Sequence, residues 1–84
     1  MKRVLRFTAE WCGPCKGYAP IFEAVEDAGV EGVEFMTINI DNDTTGAAAE
    51  YGIKSVPCTI VDNGGDIKRH IGVMSEVQLI NFIN

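Results

Sequence analysis

The residues with the most chemistry in this chain are crowded into one pentapeptide, Trp11-Cys12-Gly13-Pro14-Cys15. Two thiols three positions apart admit three uses. They could form a structural staple, supply half of a metal site, or cycle between a dithiol and a disulfide. A staple across so small a loop removes little entropy from the unfolded chain. The chain has three cysteines, the third being Cys58, and an odd number does not describe a disulfide framework. For a metal, the candidates are those cysteines and the single histidine, His70. A second C-x-x-C or a spaced histidine pair is missing, and His70 falls on a strand pattern leading away from the pair. His70 therefore reads as a solvated hairpin residue, and neither a metal nor a bound cofactor is expected. Cys58 reads as a small core residue, with a third redox thiol as the sharper alternative.

The elements that must position the pair follow from periodicity. VLRF (4–7) is a short apolar strand pattern. After Cys12 the period changes: Tyr18, Ile21, Phe22 and Val25 recur at spacings of three and four, with Glu23, Glu26 and Asp27 on the wet side. This helix ends near Gly29 and carries Pro20 inside, where a kink is expected. VEFMTINI (33–40) is apolar on both faces in its second half, the pattern of a central, doubly covered strand. Asp41-Asn42-Asp43 turns the chain, Asp43 or Thr44 caps a short helix through Tyr51, and Gly52 follows its end. SVPCTIVD (55–62) is a strand entered through Pro57. NGGD (63–66) is a hairpin turn, since Asn-Gly accepts the positive φ angles such turns need. IKRHI (67–71) returns antiparallel. Beyond Gly72, Ser75 and Gln78 form a capping box for an amphipathic helix carrying Val77, Leu79, Ile80, Phe82 and Ile83. Phe7, Phe22, Phe35 and Phe82 are the expected core aromatics. The order β-α-β-α-β-β-α predicts an α/β fold: parallel strands joined by helical crossovers, then a hairpin adding an antiparallel edge. The result is a four-stranded mixed sheet with helices on both faces.

A chain of 84 residues is expected to form one domain, 1–84, with a thin core. Its net charge of −5 argues against nucleic acid as the main partner. Lys2, Arg3 and Arg6 on the first strand read as solvated strand ends. No stretch approaches the roughly 20 apolar residues of a membrane span. Arg6 and Glu10 interrupt the positively charged start before a signal-peptide core can form. A cytoplasmic monomer without membrane partners is expected.

The pair falls where the first strand gives way to the first helix. A helix N-terminus carries unpaired N–H groups and the positive end of the backbone dipole. A thiol there ionises more easily, and the thiolate is the form that attacks disulfides. Cys12 is expected to cap the helix and be the more acidic thiol. Cys15, one turn in on the same face, is expected to be more covered. That arrangement suits thiol–disulfide exchange: Cys12 attacks a partner disulfide, and Cys15 then attacks Cys12 to release the reduced partner. Pro14 suits a first helical turn, where its missing N–H has no helical partner anyway, and Gly13 leaves the approach uncrowded.

At this point AEWCGPCK (9–16) closely resembles the active-site segment of thioredoxins. The resemblance continues through Pro20, NID (39–41), YGI (51–53), SVP (55–57), the NGG turn and Gly72. It covers essentially the whole chain, without the amino-terminal strand–helix unit of full-length thioredoxins, and leaves a core of glutaredoxin size. It implies a protein-disulfide reductase with Cys12 as nucleophile and Cys15 as resolving thiol, exchanging electrons with disulfide-containing target proteins and an upstream thioredoxin-reductase-like donor. It also implies Trp11 as a wall of the site and Pro57 as a cis-proline facing the dithiol. Val56 would pair its backbone with the target chain, and Gly72 would keep that groove open. Thioredoxins usually keep an aspartate under the resolving cysteine and a lysine partner on the neighbouring strand; here those places hold Arg6 and Thr37. Arg6 either points outward, the expected placement, or lies under the site. Two other functions stay in view: a glutathione-dependent, glutaredoxin-like reductase and a non-catalytic binding subunit.

Overall fold

In the computed structural model, which describes residues 1–84, alternation along the first strand sets up two cores. β1 (Lys2–Thr8) points Val4 to one face and Leu5 and Phe7 to the other. α1 (Gly13–Ala28) lays Tyr18, Phe22 and Val25 over Val4, and α3 (Glu76–Ile83) adds Leu79 and Ile83 to the same cluster. On the opposite face α2 (Ala47–Glu50) and the residue after it place Ala47 and Tyr51 against Leu5, Phe7 and Ile60. β2 (Val33–Asn39), β3 (Cys58–Asn63) and β4 (Asp66–Ile71) complete a four-stranded mixed sheet of order β2-β1-β3-β4. Helices cover both faces, as the sequence pattern requires.

Two expectations about the sheet are corrected. β2 is an edge strand, hydrogen-bonded only to β1. Its apolar residues are covered from both sides, Phe35 by the α1 cluster and Met36 and Ile38 by the α2 cluster. Two apolar faces report covering layers above and below a strand, and say nothing of neighbours on both edges. Next, β3 runs antiparallel to β1, with Phe7 opposite Cys58 and Val4 opposite Val61. A parallel return must carry the chain back along a strand. α2 has four residues and rises only about 6 Å, so β3 starts at the end where β2 stops.

Local signals account for most boundaries. α1 is capped by Cys12, has Pro14 in its first turn, runs unbroken through Pro20 and stops at Gly29, whose φ of 77° excludes further helix. α2 starts later than its expected cap. Asp43 accepts N–H bonds from Thr45, Gly46 and Ala48, which ties down an irregular turn, and Gly46 is the N-cap. β3 begins at Cys58, after the proline that cannot donate to a ladder. The Asn63–Asp66 hairpin turns on Gly64 and Gly65, both at positive φ. The capping box of Ser75 and Gln78 forms as expected.

α3 buries a narrower face than its pattern suggested. Leu79 and Ile83 are fully buried, whereas Val77 is 67% exposed and Ile80 is also exposed. Eight helical residues cannot turn five apolar positions toward one sheet, since the core-facing stripe spans only about 100° or somewhat more. Phe35 and Phe82 are half-buried at the margin, while Phe7 and Phe22 are core. The basic residues of β1 are not merely solvated ends. Lys2 donates to the Ile83 carbonyl at the C-terminus of α3, where a cation meets the negative end of the dipole, and from β4 Lys68 donates to the neighbouring Phe82 carbonyl.

Candidate active site

The end of β1 delivers the chain through Ala9 to the start of α1, and the Cys12 N–H closes the turn on the Ala9 carbonyl at 3.2 Å. Cys12 is the N-cap, with extended backbone (φ −91°, ψ 109°), and its Sγ accepts the Cys15 N–H at 3.2 Å. Cys12 and Cys15 form a disulfide with Cα atoms 5.3 Å apart. Both are buried, Cys15 the more deeply. Three-residue spacing at a helix start therefore brings the sulfurs together at the first turn of α1, and the Cys15 N–H that would steady a thiolate already points to Cys12 Sγ.

Around this disulfide the fold gathers residues from three further segments. The Val56–Pro57 peptide is cis, and the Val56 carbonyl oxygen lies 3.7 Å from Cys12 Sγ. Gly72 donates its N–H to the Pro57 carbonyl at 2.9 Å, with φ of 109°, so the loop after β4 is laced to the proline loop. Trp11 is 68% exposed but is not free to turn, because its Nε1 donates to Asp41 Oδ2 at 2.8 Å. Asp41 is held in place by its own N–H, which donates to Asn39 Oδ1. In the sequence Asp41 stands in a turn and in the NID segment of the resemblance, with no role at Trp11 expected of it. Its signal was Asp41 directly after Asn39 and Ile40, a carboxylate at the end of an apolar strand, where a side chain can reach across the sheet end.

Cys58 follows Pro57 but faces the α2 side of the sheet, fully buried among Leu5, Phe7 and Ile60. Burial pushes its thiol up, and the Arg69 guanidinium offsets part of that. It matches the expected small core residue. His70 differs from expectation. It is half-buried, with its ring edge-on to Phe82 at 5.9 Å between centroids, because it pairs with Thr59 on the face that α3 covers. Nowhere do three His, Cys, Asp or Glu side chains converge as metal ligands.

Arg6 requires the clearest correction. It does not point outward: it is 6% exposed, lying under α1. Leu5 and Phe7 occupy the α2 face, so strand alternation must send Arg6 to the α1 face. Its Nε and Nη2 donate to Thr37 Oγ1 at 3.3 and 3.1 Å, its Nη2 lies 3.7 Å from Glu23 Oε2, and its Cζ stands 5.2 Å from the centre of the Phe22 ring. Beside it, the Tyr18 and Thr59 hydroxyls share a buried hydrogen bond of 2.8 Å, and burial raises the Tyr18 phenol. A cleft of about 490 Å³ lined by Arg6, Thr8, Ala9, Glu10 and Lys16 opens alongside the motif.

A disulfide closed between an N-cap cysteine and the residue one turn into its helix, on a mixed sheet beside a cis-proline, defines a thiol–disulfide oxidoreductase. The thioredoxin family model matches residues 1–84, and the chain belongs to that family. Thioredoxin of Haemophilus influenzae is 34% identical over 82 residues, covering 96% of this chain and 76% of that one. Thioredoxin of Mycoplasma genitalium is 39% identical over 82 residues, covering 96% and 78%. Among solved structures, Fasciola hepatica thioredoxin superposes with a TM-score of 0.83 at 32% identity, covering 98% of this chain and 77% of its own. The Cys12–Cys15 pair is the redox disulfide of a thioredoxin-type protein-disulfide reductase. No helix is long and apolar enough to cross a membrane.

Proposed function

We propose that Cys12 is the nucleophile and Cys15 the resolving thiol of a monomeric, cytoplasmic reductase formed by residues 1–84 as one domain, with no bound cofactor. The Cys12 thiolate attacks one sulfur of a target disulfide. A mixed disulfide forms, and the other target sulfur leaves as a thiolate that takes a proton from solvent. Cys15 loses its proton and attacks Cys12 Sγ, the Cys12–target bond breaks, and the target departs carrying two electrons. An upstream thioredoxin-reductase-like donor returns those electrons to the Cys12–Cys15 disulfide. Gly13 and Pro14 keep the turn open and stiff. Trp11, Val56, Pro57 and Gly72 line the groove for the target chain, with the Val56 backbone as an added-strand partner.

One observation carries this reading. Cys12 Sγ sits at the helix start, accepting the Cys15 N–H at 3.2 Å, with the Val56 carbonyl 3.7 Å away. The test is a Cys15→Ser variant offered insulin as disulfide substrate. A covalent Cys12–target adduct that dithiothreitol releases is expected, together with loss of turnover. An adduct on Cys58 in place of Cys12, or turnover at the wild-type rate, overturns the assignment.

A further inference from the structure

Beneath the helix that carries the dithiol lies a charge for which the exchange chemistry as described has no use. We propose that Arg6 is a positioning residue for that chemistry: its buried guanidinium supplies a fixed positive charge under α1 that favours the thiolate forms of Cys12 and Cys15. It thereby makes the disulfide a stronger oxidant than an uncharged residue at this position would. The inference rests on the thiol–disulfide exchange reading above.

The geometry is specific. Arg6 reaches from β1 under α1, anchored by Thr37 on one side and stacked on Phe22 on the other. Phe22 lies two turns beyond Cys15, about 10 Å along the helix axis. Through a protein medium of effective dielectric about 20, a unit charge at that range moves a titration by roughly one pKa unit at most. Counter-charge reduces it. The groups facing Arg6 are Glu23, Tyr18 and Lys16 of α1, Thr59 of β3, and Glu10 ahead of the helix. Only Glu23 pairs with the guanidinium, at 3.7 Å, and Glu23 is itself exposed. The positive charge is therefore partly, not fully, neutralised. Nothing among these groups places a carboxylate in the buried row of Arg6 and Thr59. Cys15 thus gives up its proton to solvent with its thiolate favoured by charge, and no buried acid in that row receives the proton.

The pair of partners makes the idea testable by sign. Arg6→Gln removes the cation; Glu23→Gln removes its counter-charge. Thiolate ultraviolet absorbance against pH, read on the reduced protein, should move up by about 0.5 pKa units in Arg6→Gln and down by a smaller step in Glu23→Gln. Arg6→Lys should titrate like wild type. Above the thiol pKa values, where a shift of about 0.5 at each of the two thiols adds to about one pKa unit, the oxidation equilibrium with glutathione should shift about tenfold for Arg6→Gln, toward a more reducing couple, close to 30 mV at 29.6 mV per tenfold. Well below those pKa values the difference should vanish. Titrations of both neutral variants that coincide with wild type, or that move in the same direction, overturn the proposal, as does an Arg6→Lys variant that titrates like Arg6→Gln. If the glutamine at position 6 prevents folding, the exposed Glu23→Gln variant still decides the matter. Wild-type failure in insulin reduction sinks the underlying reductase reading; wild-type activity with unmoved thiol titrations sinks this inference alone.

Discussion

Trp11 shows how a single hydrogen bond can matter more than burial. The indole gains little from packing, being largely exposed, and is oriented by Nε1 donating to Asp41 Oδ2 at 2.8 Å. Asp41 is an exposed turn residue, so its loss should leave stability almost unchanged, within about 0.5 kcal/mol. Asp41→Ala should instead free the indole beside the disulfide and lower kcat/KM for a protein disulfide about fivefold, the equivalent of one hydrogen bond of about 1 kcal/mol. Insulin reduction and the fluorescence anisotropy of this lone tryptophan check the two halves. Unaltered anisotropy with full activity would show that the bond positions nothing. Residue context also separates the three thiols. Cys12 and Cys15 meet at a helix start, whereas Cys58 lies behind the sheet in an apolar cluster that holds its thiol protonated.

Among the elements, α3 separates hydrophobic composition from burial. Its five apolar positions look alike in sequence, yet only Leu79 and Ile83 are fully enclosed. Leu79→Ala should cost about 2–5 kcal/mol through lost transfer energy and the cavity left behind. Val77→Ala should stay within about 0.5 kcal/mol, because Val77 has little apolar area to lose. Urea midpoints of the two variants test this, and near-equal losses would mean that α3 packs differently in solution. β2 makes the parallel point for strands. Covering layers came from α1 on one face and α2 on the other, so a two-sided apolar run belonged to an edge.

For the molecule as a whole, titratable groups at both ends of the pH scale are tied across elements. Tyr51, following α2, donates to Asp62 of β3 at 2.6 Å; burial first, and that bond second, push its phenol up to about 12. Burial also raises Tyr18. A raised folded value means stability that is complete below the unfolded phenol pKa of about 10 and is lost as pH climbs through the folded values. Asp62 is lowered by the Tyr51 bond and Asp43 by its bond from Thr45. Their stabilisation is present above the usual carboxylate range and lost as pH falls through the lower folded values. The unfolding free energy should therefore be flat with respect to these groups from about pH 5 to 9. The native protein should show less tyrosinate absorbance at pH 10 than the urea-unfolded chain, which is half ionised there. Native tyrosinate equal to that of the unfolded chain at that pH would refute the upward shift of both phenols. The sequence by itself determined the element order, the turn at Gly64 and Gly65, the Ser75 cap and the Cys12–Cys15 pair. Each is a short-range matter of periodicity, backbone dihedrals or capping hydrogen bonds within a few residues. Tertiary structure alone decided that β2 is an edge, that β3 runs antiparallel, that Arg6 lies beneath α1 and that Asp41 holds Trp11. Those outcomes depend on which strands lie side by side and on side chains meeting across some 30 residues, as Arg6 meets Thr37 and Trp11 meets Asp41.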